Sequence, residues 1–272
     1  MNSPGGTPVF IAVAPNGARH GKSDHPGVPI SPRELAETAV TCAEAGATMI
    51  HLHVRDEHGR HSLEPTHYRP AIREVRHAVG DAMLIQVTSE AAGIYTPQQQ
   101  IRLIEALVPD GVSLAIREIF ANAADSDAAA RFLESLRQQR TLLQFILYDR
   151  EDVQRYQQLI ANGVIPDNQH NVLYVLGRYS NAGSTPEDLH TFIAEFNNAA
   201  PWMACAFGRQ AVNVLTEAAS SGGHVRIGFE NGWFLPDGSV ASDNAALVRT
   251  MAARVRESGH RVANVADARA LF

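Results

Sequence analysis

Eight short apolar runs, at residues 9–13, 49–54, 84–87, 112–116, 142–148, 172–176, 202–207 and 225–229, recur along the chain, with room for a helix between successive runs. Most are continuous rather than alternating, which marks strands covered on both faces, and such strands belong to parallel sheets. The segments between them carry helical spacing: Leu35, Ala36, Ala39, Val40 and Ala43 fall at i, i+1, i+4, i+5 and i+8. Helix starts are written in capping chemistry. Ser31-Pro32-Arg33-Glu34 and Thr96-Pro97-Gln98-Gln99 each fit a capping box with proline at the first helical position, and Thr185-Pro186-Glu187-Asp188 is a close variant. Gly46 and Gly163 stand where helices would stop, and Gly222-Gly223 does the same before the eighth run.

Eight strands, each followed by a helix, predict an α/β fold of the (β/α)8 TIM-barrel type, which takes about 250 residues as one domain. The chain has 272 residues, and no low-complexity stretch or linker divides it, so a single barrel domain over 1–272 is expected. An open doubly wound sheet is the alternative. It would usually carry G-x-G-x-x-G after its first strand, and Ala14-Pro15-Asn16-Gly17-Ala18 does not match.

Bulk properties exclude several partner classes. A net charge of −6 gives no basic footprint for nucleic acid or an anionic membrane. No apolar run approaches the roughly 20 residues needed to span a bilayer, and the first residues lack the pattern of a signal peptide. Cys42 and Cys205 are too few and too far apart for a disulfide scaffold or a cysteine-type zinc site. A soluble, cytoplasmic, metabolic protein is expected.

In such barrels chemistry sits at the C-terminal rim of the strands. The second run brings His51 and His53 there, and the eighth brings Arg226, Gly228 and Glu230; alternation along a strand places each set on one face. Strand eight closes beside strand one, so Glu230 lies two strands from the histidines. Two imidazoles and a carboxylate make a three-ligand zinc site with an open fourth position, the catalytic type. A lone strand histidine is more often a hydrogen-bonded core residue, and Glu230 could simply neutralise Arg226. Two histidines on one inward face at the rim favour the metal.

His20, His58, His61, His67, His77, His190 and His260 fall in loops or helices and are expected at the surface. Asp149 and Asp152 read as a helix cap and its N3 partner. Arg178, Tyr179 and Ser180 follow strand six at the rim. An amidohydrolase reading fails, because its H-x-H lies on the first strand and its later histidines at strand ends. Here His170 and His224 sit at the opposite end of the barrel.

Several segments together resemble the β-keto acid cleavage enzyme family. They are Ala12-Val13-Ala14-Pro15-Asn16-Gly17-Ala18, Ala45-Gly46-Ala47 leading into His51-Leu52-His53-Val54-Arg55-Asp56, Pro109-Asp110-Gly111-Val112-Ser113-Leu114, and Val225-Arg226-Ile227-Gly228-Phe229-Glu230-Asn231 followed by Gly238 and Asn244. The resemblance implies a zinc-bearing barrel, usually a homotetramer. Its members convert a β-keto acid and acetyl-CoA into acetoacetate and the CoA ester of the remaining acyl part. By position it makes His51, His53 and Glu230 the zinc ligands. Ser89 and Ser113 would contact the substrate carboxylate, with Thr88 and Asn16 beside them at the rim, and Arg226 would assist carbanion formation.

The chain departs from the family at three places. Asn231 stands where the family usually has an aspartate that works with the arginine, and an amide cannot take the proton. Strand five holds no acid, and Glu90 replaces a glycine after Ser89. Glu90 is therefore the first candidate for the proton acceptor. Two other readings stay open: a zinc aldolase or lyase without CoA, using Glu90 or Glu118 as acid/base, and a metal-containing barrel that binds ligand without turnover.

Overall fold

Eight parallel strands close a barrel in the computed structural model, which describes residues 6–121, 126–165, 170–178, 183–195 and 200–271. The strands are β1 (Ile11–Val13), β2 (Met49–Leu52), β3 (Leu84–Thr88), β4 (Gly111–Ala115), β5 (Leu142–Leu147), β6 (His170–Leu176), β7 (Trp202–Ala206) and β8 (His224–Ile227). They are hydrogen-bonded in chain order, and β8 returns to β1 through the pairs Val225 with Ile11 and Ile227 with Val13. The (β/α)8 barrel expected from the run pattern is the observed fold. Tyr179 and Ser180 lie outside the described residues.

The runs read as continuous because each strand feeds two cores at once. Ile11, Val13, Ile50, Leu52, Ile85, Val87, Val112 and Leu114 point outward into the layer under the helices. Phe10, Ala12, Met49, Leu84, Ala115, Ile146, Leu173, Val175 and Met203 point inward and fill the barrel. Alternation then sends Gln86, Thr88, Ser113, Gln144, Asn171 and Arg226 inward too, all buried, so polar side chains share the barrel interior with apolar ones.

The surrounding helices are α1 (Pro32–Ala45), α2 (Pro65–Val79), α3 (Pro97–Leu107), α4 (Ser126–Gln138), α5 (Arg150–Ala161), α6 (Pro186–Glu195), α7 (Ala211–Ser220) and α8 (Asn244–Glu257). Both capping boxes form: Ser31 and Thr96 accept from the N3 backbone, while Glu34 and Gln99 reach back to the cap. Thr185 and Asp188 make the same reciprocal pair. Asp149 caps α5 by accepting from Asp152 N–H, and both carboxylates also bind Arg117 from the turn after β4. Among the described residues, no helix is long and apolar enough to cross a membrane.

Candidate metal centre

His51 lies on β2, but His53 stands one residue past its end, before the short strand Val54–Arg55 that pairs with His61–Ser62. Glu230 is also beyond its strand. The run at 225–229 predicts an unbroken strand, whereas β8 stops at Ile227 and the chain turns at Gly228, with φ of 148°. A Cβ at Gly228 would meet the Ala14 carbonyl oxygen at 2.3 Å, so only glycine lets the turn approach β1. That approach lets Glu230 N–H donate to Ala14 O at 3.0 Å and brings the carboxylate back over the barrel.

Three donor atoms converge there. His51 Nε2 and His53 Nε2 are 3.1 Å apart, and Glu230 Oε2 is 3.3 Å from His53 Nε2 and 3.8 Å from His51 Nε2. A tetrahedral ion with ligands at 2.0–2.1 Å has edges of about 3.3–3.4 Å. All three residues are buried, and Glu230 Oε2 has no hydrogen-bond partner among the described residues. Donor set, spacing and the orphaned oxygen fit a divalent metal such as zinc, and His51, His53 and Glu230 form a candidate ligand set.

The other atoms of these ligands are tied down. Arg226 Nη2 donates to Glu230 Oε1 at 3.0 Å, and His51 Nδ1 meets Gln86 Oε1 at 2.8 Å. Burial alone would raise the Glu230 carboxyl, but Arg226 and the two imidazoles hold it well below the usual carboxylate range. Burial, reinforced by Arg226, drives His51 well below the ordinary imidazole value. An ionised carboxylate and a neutral imidazole are the forms that bind zinc.

A cleft opens over the donors, lined by His51, Glu230 and Arg226 on one side and by Thr88, Glu90, Glu118, Tyr148 and Arg178 on the other. Glu90 is engaged there by Arg178 Nη2 at 2.6 Å. Glu118 accepts from Ala91 N–H and Gln100 Nε2, and burial raises its pKa above the ordinary glutamate value despite those bonds. Arg226 leaves Nε and Nη1 buried without a partner among the described residues. The cleft thus offers a metal site, a buried cation with spare donors, and two carboxylates.

Residues 8–272 match the family model described as BKACE, the β-keto acid cleavage enzyme. The chain belongs to the β-keto acid cleavage enzyme family. The 3-keto-5-aminohexanoate cleavage enzyme of Acetoanaerobium sticklandii is 26% identical over 271 residues, covering 97% of both chains. The 3-oxoadipate:acetyl-CoA acetyltransferase of Cupriavidus necator is 29% identical over 273 residues, covering 97% of this chain and 94% of that protein. The binary complex of ObcA with oxaloacetate shares the fold, with a TM-score of 0.70 at 14% identity over 91% of this chain and 67% of that one.

The positions drawn from resemblance to the β-keto acid cleavage enzymes are used in different ways. Thr88 lines the cleft, although its Oγ1 accepts from Glu90 N–H. Ser113 Oγ is buried and free of partners among the described residues, whereas Ser89 Oγ donates to Ser113 O at 2.7 Å. Asn16 Nδ2 braces the loops by donating to Pro29 O and His53 O, both at 3.0 Å. Asn231 is buried, and neither atom of its amide has a partner among the described residues. His61, expected at the surface, is buried instead: its hairpin folds back over the rim, setting Nε2 2.8 Å from Glu90 O and the ring 5.3 Å from that of His53. Sequence reasoning also passed over Gln86, Gln144 and Asn171. Their signal was a polar residue at an inward position of an apolar run.

Proposed function

We propose that this family member is a zinc-dependent β-keto acid cleavage enzyme working in the cytoplasm with acetyl-CoA as co-substrate. The reaction R–CO–CH2–COO⁻ + CH3–CO–SCoA → CH3–CO–CH2–COO⁻ + R–CO–SCoA balances. The acetate unit leaves the R-acyl carbon for the acetyl carbon, and the CoA thiolate takes its place. The observation that carries this reading is the sharing of Glu230 between Arg226 and two imidazoles at the floor of the cleft.

Zinc held by His51, His53 and Glu230 would supply Lewis acidity to the β-keto oxygen, which acidifies the neighbouring carbon. The side chains do the rest. Arg226, kept cationic beside Glu230, points two spare donors where a substrate carboxylate or developing enolate can take them. Ser113 and Thr88 supply hydroxyls on adjacent strands; Ser89 braces the Ser113 carbonyl and Asn16 that of His53, both at the rim beside the substrate. Asn231 can orient a substrate but not accept its proton. Glu90 is the proposed acceptor, held in place by Arg178, with Glu118 the second acid in the same cleft.

A second reading, a zinc aldolase or lyase that needs no CoA, draws on Glu118, whose raised pKa suits acid/base exchange. Incubating the purified protein with a panel of β-keto acids, with and without acetyl-CoA, decides between them. Acetoacetate together with a new CoA ester is expected. Cleavage without acetyl-CoA would replace the first reading by the second, and binding without turnover would leave a metal-containing binding protein.

A further inference from the structure

Gln86, Gln144 and Asn171 are each almost wholly buried inside the barrel, from β3, β5 and β6. Burying three amides in a barrel core is unfavourable unless every group is paired. Here they form one chain. Asn171 Nδ2 donates to the Leu143 carbonyl at 3.0 Å; Gln144 Nε2 donates to Asn171 Oδ1 at 2.6 Å; Gln86 Nε2 donates to Gln144 Oε1 at 3.3 Å; and Gln86 Oε1 faces His51 Nδ1 at 2.8 Å. No buried atom of these three amides is left without a partner among the described residues.

The direction of this chain is dictated by its end. A backbone carbonyl only accepts, so Asn171 must present its NH2 to Leu143 O and its oxygen to β5. Gln144 must then give an N–H to Asn171 and turn its own oxygen to Gln86. Gln86 in turn has only its oxygen left for His51. Reversing any one amide sets oxygen against oxygen or N–H against N–H inside a low-dielectric core.

We propose that Gln86, Gln144 and Asn171 are positioning residues that lock His51 in the Nδ1–H tautomer, leaving the Nε2 lone pair free for the metal. The proposal rests on the zinc reading for its purpose, but the tautomer lock is a property of the protein before any metal binds. A ligating imidazole needs its other nitrogen held by an acceptor, and loss of such a partner typically costs about 10–100-fold in metal affinity. What distinguishes this site is that the acceptor's orientation is decided three strands away. If Gln144 were apolar, the Gln86 amide could flip, offer N–H to His51 Nδ1 and drive the proton onto Nε2, where it would face His53 and Glu230.

The test uses the full chain with 15N-labelled histidine, stripped of metal, and reads the His51 tautomer from its nitrogen shifts; zinc affinity is measured separately by competition with a chelator. The parent should show only the Nδ1–H form. Gln144→Met, close in volume, should give a mixture or the Nε2–H form and weaken zinc by about tenfold, the low end of the range for such partners. Asn171→Leu, whose effect must travel through Gln144, should act in the same direction. Gln144→Glu should keep the Nδ1–H form, because burial favours the neutral acid, whose O–H donates to Asn171 Oδ1 while its carbonyl accepts from Gln86. A purely structural role predicts similar changes for all three. Nδ1–H retained in both Gln144→Met and Asn171→Leu, with parental zinc affinity, would overturn the proposal. A parent that shows the locked tautomer but binds no zinc would sink the zinc reading and leave the lock standing.

Discussion

Arg226 Nη2 lies 3.0 Å from Glu230 Oε1 while Glu230 Oε2 faces the two histidines, so one buried carboxylate serves a guanidinium and the candidate metal site together. Alone, each partner would be an uncompensated charge in the barrel. Together they bring the donor set and the candidate catalytic cation within one hydrogen bond.

The purified protein is expected to carry about one zinc per chain, the stoichiometry of a single three-ligand site. Metal analysis of His51→Ala and His53→Ala should show its loss while circular dichroism still reports a folded barrel. A full equivalent in both variants would move the site elsewhere.

Removing Arg226 should destabilise the metal-free protein strongly. Breaking a buried ion pair by deleting one partner costs about 3–5 kcal/mol. Urea unfolding of Arg226→Met without metal should show a loss of that order, and saturating zinc should restore part of it by neutralising Glu230. Turnover should stay low even when zinc is bound. An unchanged midpoint would mean that Glu230 is not ionised against Arg226.

The two cleft carboxylates separate by mutation. If Glu90 accepts the substrate proton, Glu90→Gln lowers the maximal rate by about 10²–10⁴-fold, and Glu118→Gln by far less. Asn231→Asp, which restores an acid beside the candidate ligand Glu230, should recover part of the activity in the Glu90→Gln background. The opposite ranking of the two glutamates would assign the proton to Glu118 and leave Glu90 with Arg178 as readers of the acyl part.

Stability should fall on mild acidification through His224. Burial lowers its pKa from 6.5 to about 4, and Phe10 N–H donates to its Nδ1. Between those values the unfolded chain binds a proton that the folded chain refuses, so stability rises with pH across that window. It is complete above about pH 6.5 and is lost progressively as pH falls towards 4, by at most about 3 kcal/mol. His224→Gln, measured at fixed zinc saturation, should flatten the curve between pH 4 and 6.5; an unchanged slope would place the acid sensitivity elsewhere.

The resemblance also implies a homotetramer, and closed homo-oligomers are common. Light scattering at working concentration should report a multiple of the 29.5 kDa chain mass. A particle of single-chain mass would contradict it.

Much of this protein was written locally. Continuous apolar runs separated by capped helices lead to the barrel because strands covered on both faces favour a parallel sheet, and eight strand–helix repeats without a dinucleotide-binding glycine turn match the closed form. The inward direction of His51 and Arg226 was legible because side-chain direction along a strand has a short period. Caps such as Ser31 with Glu34, and Asp149 with Asp152, involve residues three apart and were legible for the same reason.

Tertiary structure decided whatever depends on groups distant in sequence. Glu90 is drawn to Arg178 and His61 is folded beside His53, because closure brings the ends of separate strands to one rim. Glu230 reaches the histidines through a turn at Gly228, which no strand periodicity describes. Gln86, Gln144 and Asn171 read as isolated polar residues in apolar runs until the barrel brings amides from β3, β5 and β6 together in its interior. Local sequence sets which face a side chain takes; only closure of the barrel sets which partner it meets.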